Sequence, residues 1–261
     1  MPLSPALTGL YQSAALLVPA LGRPARPFVI VGAARSGSTL LQSLLDSHPH
    51  VVCMNELASR NVRKSQFRRY YAGQRGRLLE VGKRDPARLA ETVLLAPQPP
   101  GVHAIGFKLL YDQPADLEQR DEMWRRVAGI PGLRVLRTVS NPARSALSFC
   151  IAIETGKWVN QQVQGDLRVD TALLLKRLRK DDRHSDRVEA LFGDGQILDV
   201  RAKEMLRDPD VAAAALAHIG VEPRPLTATT KRQNPVDMAQ VVTNYDEVLA
   251  ALEGTKWDGQ L

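Results

Sequence analysis

The densest chemistry in the chain lies in Gly32-Ala33-Ala34-Arg35-Ser36-Gly37-Ser38-Thr39. The apolar run Phe28-Val29-Ile30-Val31 precedes it. Leu40, Leu41, Leu44 and Leu45 follow at helical spacing. A strand that enters a helix through such a loop aims backbone N–H groups and the positive end of the helix dipole at one point. Gly37 permits a backbone conformation that other residues resist. Ser36, Ser38 and Thr39 add hydroxyls, and Arg35 adds a fixed cationic fork. That combination suits a phosphate; its plain alternative is a helix N-cap rich in Ser and Thr. Gly32 and Gly37 match the start of G-x-x-x-x-G-K-[ST], but Ser38 occupies the lysine position. A P-loop kinase would lose its β/γ-phosphate contact there and is the alternative enzyme reading.

Two further residues stand where strands should end. Glu56 follows the apolar run Val51-Val52-Cys53, and Lys108 lies near the end of a third apolar segment, Val102 to Leu110. In an open α/β sheet the strand C-termini border the ligand crevice, so both side chains should face the loop. Lys108 there either stabilises developing negative charge or snorkels to the surface. His48 and His103 belong to the other ends of their segments and read as structural.

The elements that must position these groups alternate. Strands are expected at Phe28–Val31, Val51–Cys53, Val102–Leu110, Leu133–Val139 and Gln196–Val200. Helices are expected over Ser38–Ser47, Ala87–Ala96, Asp116–Ala128, from Pro142, and over Asp170–Phe192, Pro209–Ile219 and Val236–Leu252. Alternation of this kind argues a single α/β domain over residues 1–261, P-loop-like, with a mostly parallel sheet flanked by helices. Residues 1–26, rich in Pro and Ala, read as an N-terminal extension.

Composition narrows the classes. The 261 residues are 44% hydrophobic and 24% charged, as in a soluble globular protein. Two cysteines exclude a disulfide framework and have no metal-ligand spacing, so no metal is implied. No apolar run approaches the length of a spanning helix, and no signal peptide is evident, so the expected location is cytoplasmic. The net charge of +7 is local: Arg60 to Arg84 holds nine Lys/Arg and one acid, and the remainder is near neutral. With Tyr70 and Tyr71 inside it, this segment raises nucleic-acid binding, but no RNA- or DNA-binding motif accompanies it. No nucleic-acid partner is expected beyond a nucleotide donor.

Arg35-Ser36-Gly37-Ser38-Thr39-Leu40-Leu41 after a strand, with His48-Pro49 closing the helix, resembles the 5′-phosphosulfate loop of sulfotransferases. These enzymes use 3′-phosphoadenosine 5′-phosphosulfate (PAPS) and release the bisphosphate PAP. The likeness is greatest to bacterial carbohydrate sulfotransferases of the nodulation-factor and trehalose type. Gly106–Asp112, Arg134–Trp158, Lys231–Asn234, Asn244–Glu247 and Gly254-Thr255 resemble further family segments. The resemblance implies sulfuryl transfer from PAPS to a hydroxyl of a carbohydrate or other small alcohol. It implies that Arg35, Ser36, Gly37, Ser38, Thr39 and Leu40 hold the 5′-phosphosulfate and that Glu56 is the general base. Arg35 and Lys108 would stabilise the transition state.

One departure stands out. The family grips the 3′-phosphate with a strand-end arginine and a helical serine. Alignment on Pro142 places the serine at Ser148 but puts Ser140 at the arginine position. Arg144, in the first helical turn, or Arg137, on the strand, could compensate, and Arg144 is preferred because the helix dipole adds to it. Otherwise the chain is a weakly active or inactive PAP/PAPS-binding protein. Lys231 and Arg232 are candidates for a clamp over the nucleotide, and Lys203 replaces a family tyrosine. The basic segment 60–84, directly after Glu56, is expected to be an acceptor-side lid or insert.

Overall fold

The computed structural model describes residues 7–8, 10–12, 14, 22–59, 71, 74–156, 158, 166–228 and 238–261. Strands β1 (Arg26–Gly32), β2 (Val51–Glu56), β3 (Ala104–Leu110), β4 (Arg134–Thr138) and β5 (Ile197–Val200) form one sheet in the order β2-β3-β1-β4-β5. Every neighbouring pair is parallel, so the expected mostly parallel sheet is wholly parallel among the described residues. β1, β2 and β3 are buried on both faces over most of their length, which explains their continuous apolar runs.

The helices are α1 (Ser38–Asp46), α2 (Arg75–Arg84), α3 (Pro86–Leu95), α4 (Leu117–Ala128), α5 (Pro142–Thr155), α6 (Thr171–Leu191), α7 (Pro209–His218) and α8 (Tyr245–Leu252). One face of the sheet, with Val29, Val31, Phe107 and Leu109, packs on α3 and α4 through Leu89, Val93, Met123 and Val127. The other face, with Phe28, Ile30 and Leu136, packs on α1 and α7 through Leu41, Leu44, Leu216 and Ile219. A third cluster joins α5, α6 and α8 around Leu147, Leu174 and Val248.

Local sequence sets the helix starts. Asp85, Asp116, Asn141, Asp170 and Asp208 each cap a helix by accepting from a backbone N–H in its first turn. Pro86, Pro142 and Pro209 sit at the first helical position, where a missing N–H costs nothing. The expected last helix over Val236–Leu252 is corrected: a 3-10 turn at Met238–Gln240 precedes an α8 that begins only at Tyr245. Within the N-terminal extension, Gln12 is buried, donating to Gln98 (2.6 Å) and accepting from the backbone N–H of Tyr71 (3.3 Å).

The order reverses at β1, which lies between β3 and β4. At such a switch point the connecting segments diverge to either side and leave a crevice beyond the strand C-termini. The phosphate-type loop leaves β1 there.

The sheet leaves no room at Gly106, where an added Cβ would come within 2.5 Å of the Phe28 ring and carbonyl oxygen. Gly76 in α2 has nothing within 4 Å. Gly106→Ala is expected to lower stability by about 3 kcal/mol through strand displacement. Gly76→Ala should raise it by roughly 0.5 kcal/mol through helix propensity. Urea unfolding midpoints of the two variants measure the contrast.

Candidate active site

The loop between β1 and α1 is built tightly. A Cβ on Gly32 would lie 2.1 Å from Thr138 Oγ1, so the close approach of β4 demands glycine. Ser36 Oγ lies 2.6 Å from Thr138 Oγ1 and donates to the Ala33 carbonyl (2.7 Å). Gly37 is left-handed with φ 94°. Arg35 is also left-handed, with φ 72°, which for a residue with a Cβ stores about 1 kcal/mol of strain. Contacts to α5 hold it: Arg35 Nε donates to Ser148 Oγ (3.0 Å), and Ser145 Oγ donates to the Arg35 carbonyl (3.4 Å). Arg35 Nη1 donates to the Trp158 carbonyl (2.5 Å). Burial lowers the Arg35 pKa, yet a guanidinium stays charged at any working pH.

Glu56 and Lys108 meet beside this loop. β2 and β3 are in register from Val51 to Met54, but the register shifts between Met54 and Glu56, so that Glu56 rather than Asn55 stands opposite Lys108. Because side chains alternate along a strand, this bulge turns Glu56 onto the face that carries Lys108. Lys108 Nζ pairs with Glu56 Oε1 at 2.8 Å and donates to Thr39 Oγ1 at 2.9 Å. Lys108 is only 3% exposed, a burial that a cation tolerates when it is paired and hydrogen-bonded. Gln113 donates to Glu56 Oε2 at 2.6 Å.

The two compensating arginines differ. Arg137 donates to both oxygens of Asp199 (2.6 and 2.9 Å) and to Glu189 (2.6 Å). These bonds, Asp199 foremost, raise its pKa. Arg137 and Thr138 are successive strand residues and point to opposite faces, and it is Thr138 that touches the loop. Arg144 sits in the first turn of α5, exposed, and its side chain makes no hydrogen bond or ion pair among the described residues. Ser140 Oγ bonds with Ser145 Oγ (2.8 Å). Ser38 is buried, while Leu40 packs partly on the α1 side of the core. Lys231 and Arg232 lie outside the described residues, as do positions 60–70 and 72–73 of the basic segment. Tyr71 is fully buried and donates to the Val93 carbonyl (3.3 Å), so it is core rather than a platform for bases.

His48 and His103 lie at the opposite end of the sheet. His48 Nδ1 accepts from the backbone N–H of His50 (3.1 Å), and its Nε2 lies 3.1 Å from the Glu222 carbonyl. His103 stacks on His50 with ring centroids 4.6 Å apart. Both precede the strands whose far ends carry Glu56 and Lys108.

Sequence reasoning missed Thr138, Gln113, the Trp158 carbonyl and a charged cluster next to Gln113. In that cluster Arg177, nearly buried and stacked 4.1 Å over Phe149, donates to Asp112 (2.9 Å) and Asp181 (2.8 Å). None of these was singled out by its spacing, although Thr138 and Trp158 lie within the family-like segment Arg134–Trp158 and Asp112 ends the segment Gly106–Asp112. On the other side, a cleft of about 350 Å³ opens between the ends of β4 and β5 and α7, lined by Val139, Val200, Arg201 and Val211 among others. Among the described residues no group of three or more His, Cys, Asp or Glu is placed to hold a metal ion. No described helix is long and apolar enough to cross a membrane.

With this geometry in view, residues 27–224 match the Sulfotransferase family. The chain belongs to the sulfotransferase family. It is similar to nodulation protein H of Rhizobium tropici, 25% identical over 232 residues that span 85% of this chain and 87% of that one. Among solved structures it is similar to a sulfotransferase from Alicyclobacillus acidocaldarius (17% identity, 88% and 94% of the two chains, TM-score 0.46). It is also similar to retinol dehydratase in a complex with retinol and PAP (14% identity, 82% and 64%, TM-score 0.37). Sulfuryl transfer from PAPS is the activity that accompanies membership of this family, and the kinase alternative is not favoured.

The charged cluster of this sulfotransferase includes His184, one turn along α6 from Asp181 with its ring 6.0 Å from that of Tyr111, and the two groups have opposed titrations. Burial raises the Asp181 carboxyl to about 6 and lowers the His184 imidazole to about 4. A raised carboxyl binds its proton more tightly when folded, so its contribution to stability grows as pH falls from 6 toward 3.8. His184 binds its proton less tightly when folded, so its contribution shrinks as pH falls from 6.5 toward 4. Asp181→Asn leaves only the second effect. Its urea midpoint is expected to fall more steeply on acidification through this window than that of the unmodified chain; parallel profiles would show that Asp181 does not take up its proton there.

Proposed function

We propose a division of labour among these residues for sulfuryl transfer from PAPS to a hydroxyl of a small-molecule or carbohydrate acceptor. The observation that carries it is the Lys108 bridge, which ties the Glu56 carboxylate to Thr39 of the anion-type loop. A proton acceptor and an anion cradle thus share one buried cation.

Glu56 takes the proton of the acceptor hydroxyl. The oxygen attacks sulfur as the bond from sulfur to the 5′-phosphate oxygen breaks, and the electron pair leaves with PAP. Arg35 and Lys108 offset the charge that builds on the sulfuryl and bridging oxygens. The loop N–H groups with Ser36, Gly37, Ser38, Thr39 and Leu40 hold the 5′-phosphosulfate. Positioning and charge neutralisation suffice for such an in-line transfer, as for phosphoryl transfer.

Ser148 and Arg144 hold the 3′-phosphate. Support comes from the exposed, unengaged guanidinium of Arg144 at the N-terminus of α5, one turn from Ser148. Arg137 is already committed to Asp199 and Glu189. The cleft beside β5 is within the size range of small-molecule sites and is our candidate for the nucleoside. Lys231 and Arg232 remain candidates for the clamp, and the basic segment 60–84 for an acceptor-side gate. The resemblance of the loop and its neighbouring segments to bacterial carbohydrate sulfotransferases favours a carbohydrate among possible acceptors.

Thermal unfolding tests the donor. A ligand bound only by the folded chain raises the melting temperature, so PAP is expected to stabilise the protein while ATP, ADP and GTP do not. Stabilisation by ATP and not PAP overturns the reading. In calorimetry Arg144→Ala should weaken PAP binding by roughly 10-fold, a loss of about 1.4 kcal/mol, and Arg137→Ala by less. Equal, negligible effects remove Arg144 from the 3′-phosphate site. Glu56→Gln is expected to abolish PAPS-dependent sulfation of a panel of pyranosides and simple alcohols with PAP affinity unchanged. No turnover of any panel member by the unmodified chain, with PAP still bound, would instead favour the binding-protein reading.

A further inference from the structure

The two oxygens of Glu56 are held by different partners. Oε1 faces the Lys108 ammonium at 2.8 Å, and Oε2 accepts from the Gln113 amide at 2.6 Å. Gln113 is buried, and its orientation is fixed because its own Oε1 accepts from the backbone N–H of Leu110 at 3.3 Å. Its NH₂ therefore has to face Glu56. The turn that carries it is pinned on several sides. Gln113 N–H donates to the Leu110 carbonyl at 3.0 Å, and the preceding residue, Asp112, accepts from Arg177 at 2.9 Å. Buried Arg120 donates to the carbonyls of Pro114 and Ala115, both at 2.8 Å. Despite burial, which pushes the Asp112 carboxyl up, Arg177 holds it below its ordinary value, so this pin stays charged.

We infer that Gln113 is a positioning residue for the proton transfer: it fixes Glu56 through Oε2 and thereby leaves Oε1 as the oxygen that takes the acceptor proton. The inference rests on the reading of Glu56 as base. Lys108 bonds to both Glu56 and the loop, so an anionic sulfuryl group at the loop competes for the ammonium and draws it off Oε1. A neutral amide meets no such competition and stays on Oε2. A carboxylate free on both oxygens would rotate about its terminal torsion, which is soft in glutamate, and the attacking geometry would blur. Displacement of a catalytic group by about 1 Å costs up to about 100-fold in rate. Among the described residues the side-chain partners of Glu56 are Lys108 and Gln113, one charged and one neutral.

Gln113→Met fills the same volume without the amide, and Gln113→Glu keeps the shape but brings a second carboxylate. PAP release from PAPS is followed with the best acceptor of the panel above and also with water alone as acceptor. Gln113→Met is expected to lower kcat about 10- to 100-fold, with acceptor KM changed less than threefold and PAP-induced thermal stabilisation intact. The acid limb of its pH–rate profile should move to higher pH, since a hydrogen bond that favours the ionised base is gone. Gln113→Glu should move that limb further up and recover rate as pH rises. An unchanged kcat and acid limb in Gln113→Met, while Glu56→Gln is inactive, overturns the inference alone. Full activity of Glu56→Gln overturns the assignment of the base and this inference with it. Loss of PAP stabilisation in both Gln113 variants would show a structural role in place of the positioning one.

Discussion

A buried ammonium organises the site. Lys108 has almost no contact with solvent, so its charge is tolerable only while anionic and polar partners bond to it, here Glu56 and Thr39. Those partners come from three elements. β3 supplies the cation, the bulged end of β2 supplies the carboxylate, and the first turn of α1 supplies the hydroxyl. The order β2-β3-β1 brings all three together, because β3 lies between the strand that ends in Glu56 and the strand that ends in the loop. The register shift at Asn55 is part of the same constraint; without it the carboxylate would point to the other face of the sheet.

A second set of contacts works from the other side of β1. Thr138 at the end of β4 packs so closely on Gly32 that no side chain fits there, and α5 holds Arg35 in its left-handed conformation through Ser145 and Ser148. The strain in Arg35 is the local cost of a guanidinium tied to the helix that carries Ser148 and Arg144. The loop is thus clamped between two halves, β2 with β3 on one side and β4 with α5 on the other. The switch in strand order at β1 is what makes two halves possible.

Much of this was legible in the chain. The strand, loop and helix around Gly32–Leu45 follow from an apolar run, two glycines and leucines at helical spacing. The helices expected from Pro142 and from Pro209 start there, and the one expected from Ala87 starts one residue earlier, at Pro86. The helix ends drifted by a residue or two because fraying has no sharp sequence signal. The expected helix from Val236 failed for a different reason. Val236, Val241, Val242 and Val248 share its apolar pattern, but Val242 instead forms a bridge with Leu167, and a non-local pairing leaves no mark on local periodicity. Tyr71 misled in the same way. Its basic neighbours suggested a surface, whereas packing beneath α3 buries it completely.

By itself the sequence determined the phosphate-type loop, the candidates Glu56 and Lys108, the α/β alternation and the missing strand-end arginine at Ser140. These are properties of residue type, order and short-range periodicity. Tertiary structure alone decided which groups touch. It engaged Arg137 with Asp199 and Glu189 while leaving Arg144 exposed, and it brought Gln113 to Glu56 across 57 residues. It also turned Glu56 toward Lys108 by a one-residue bulge. The physical reason is common to all three. A hydrogen bond or ion pair is made within about 3 Å, and proximity on that scale between distant segments is set by strand order, register and packing, none of which a linear pattern encodes.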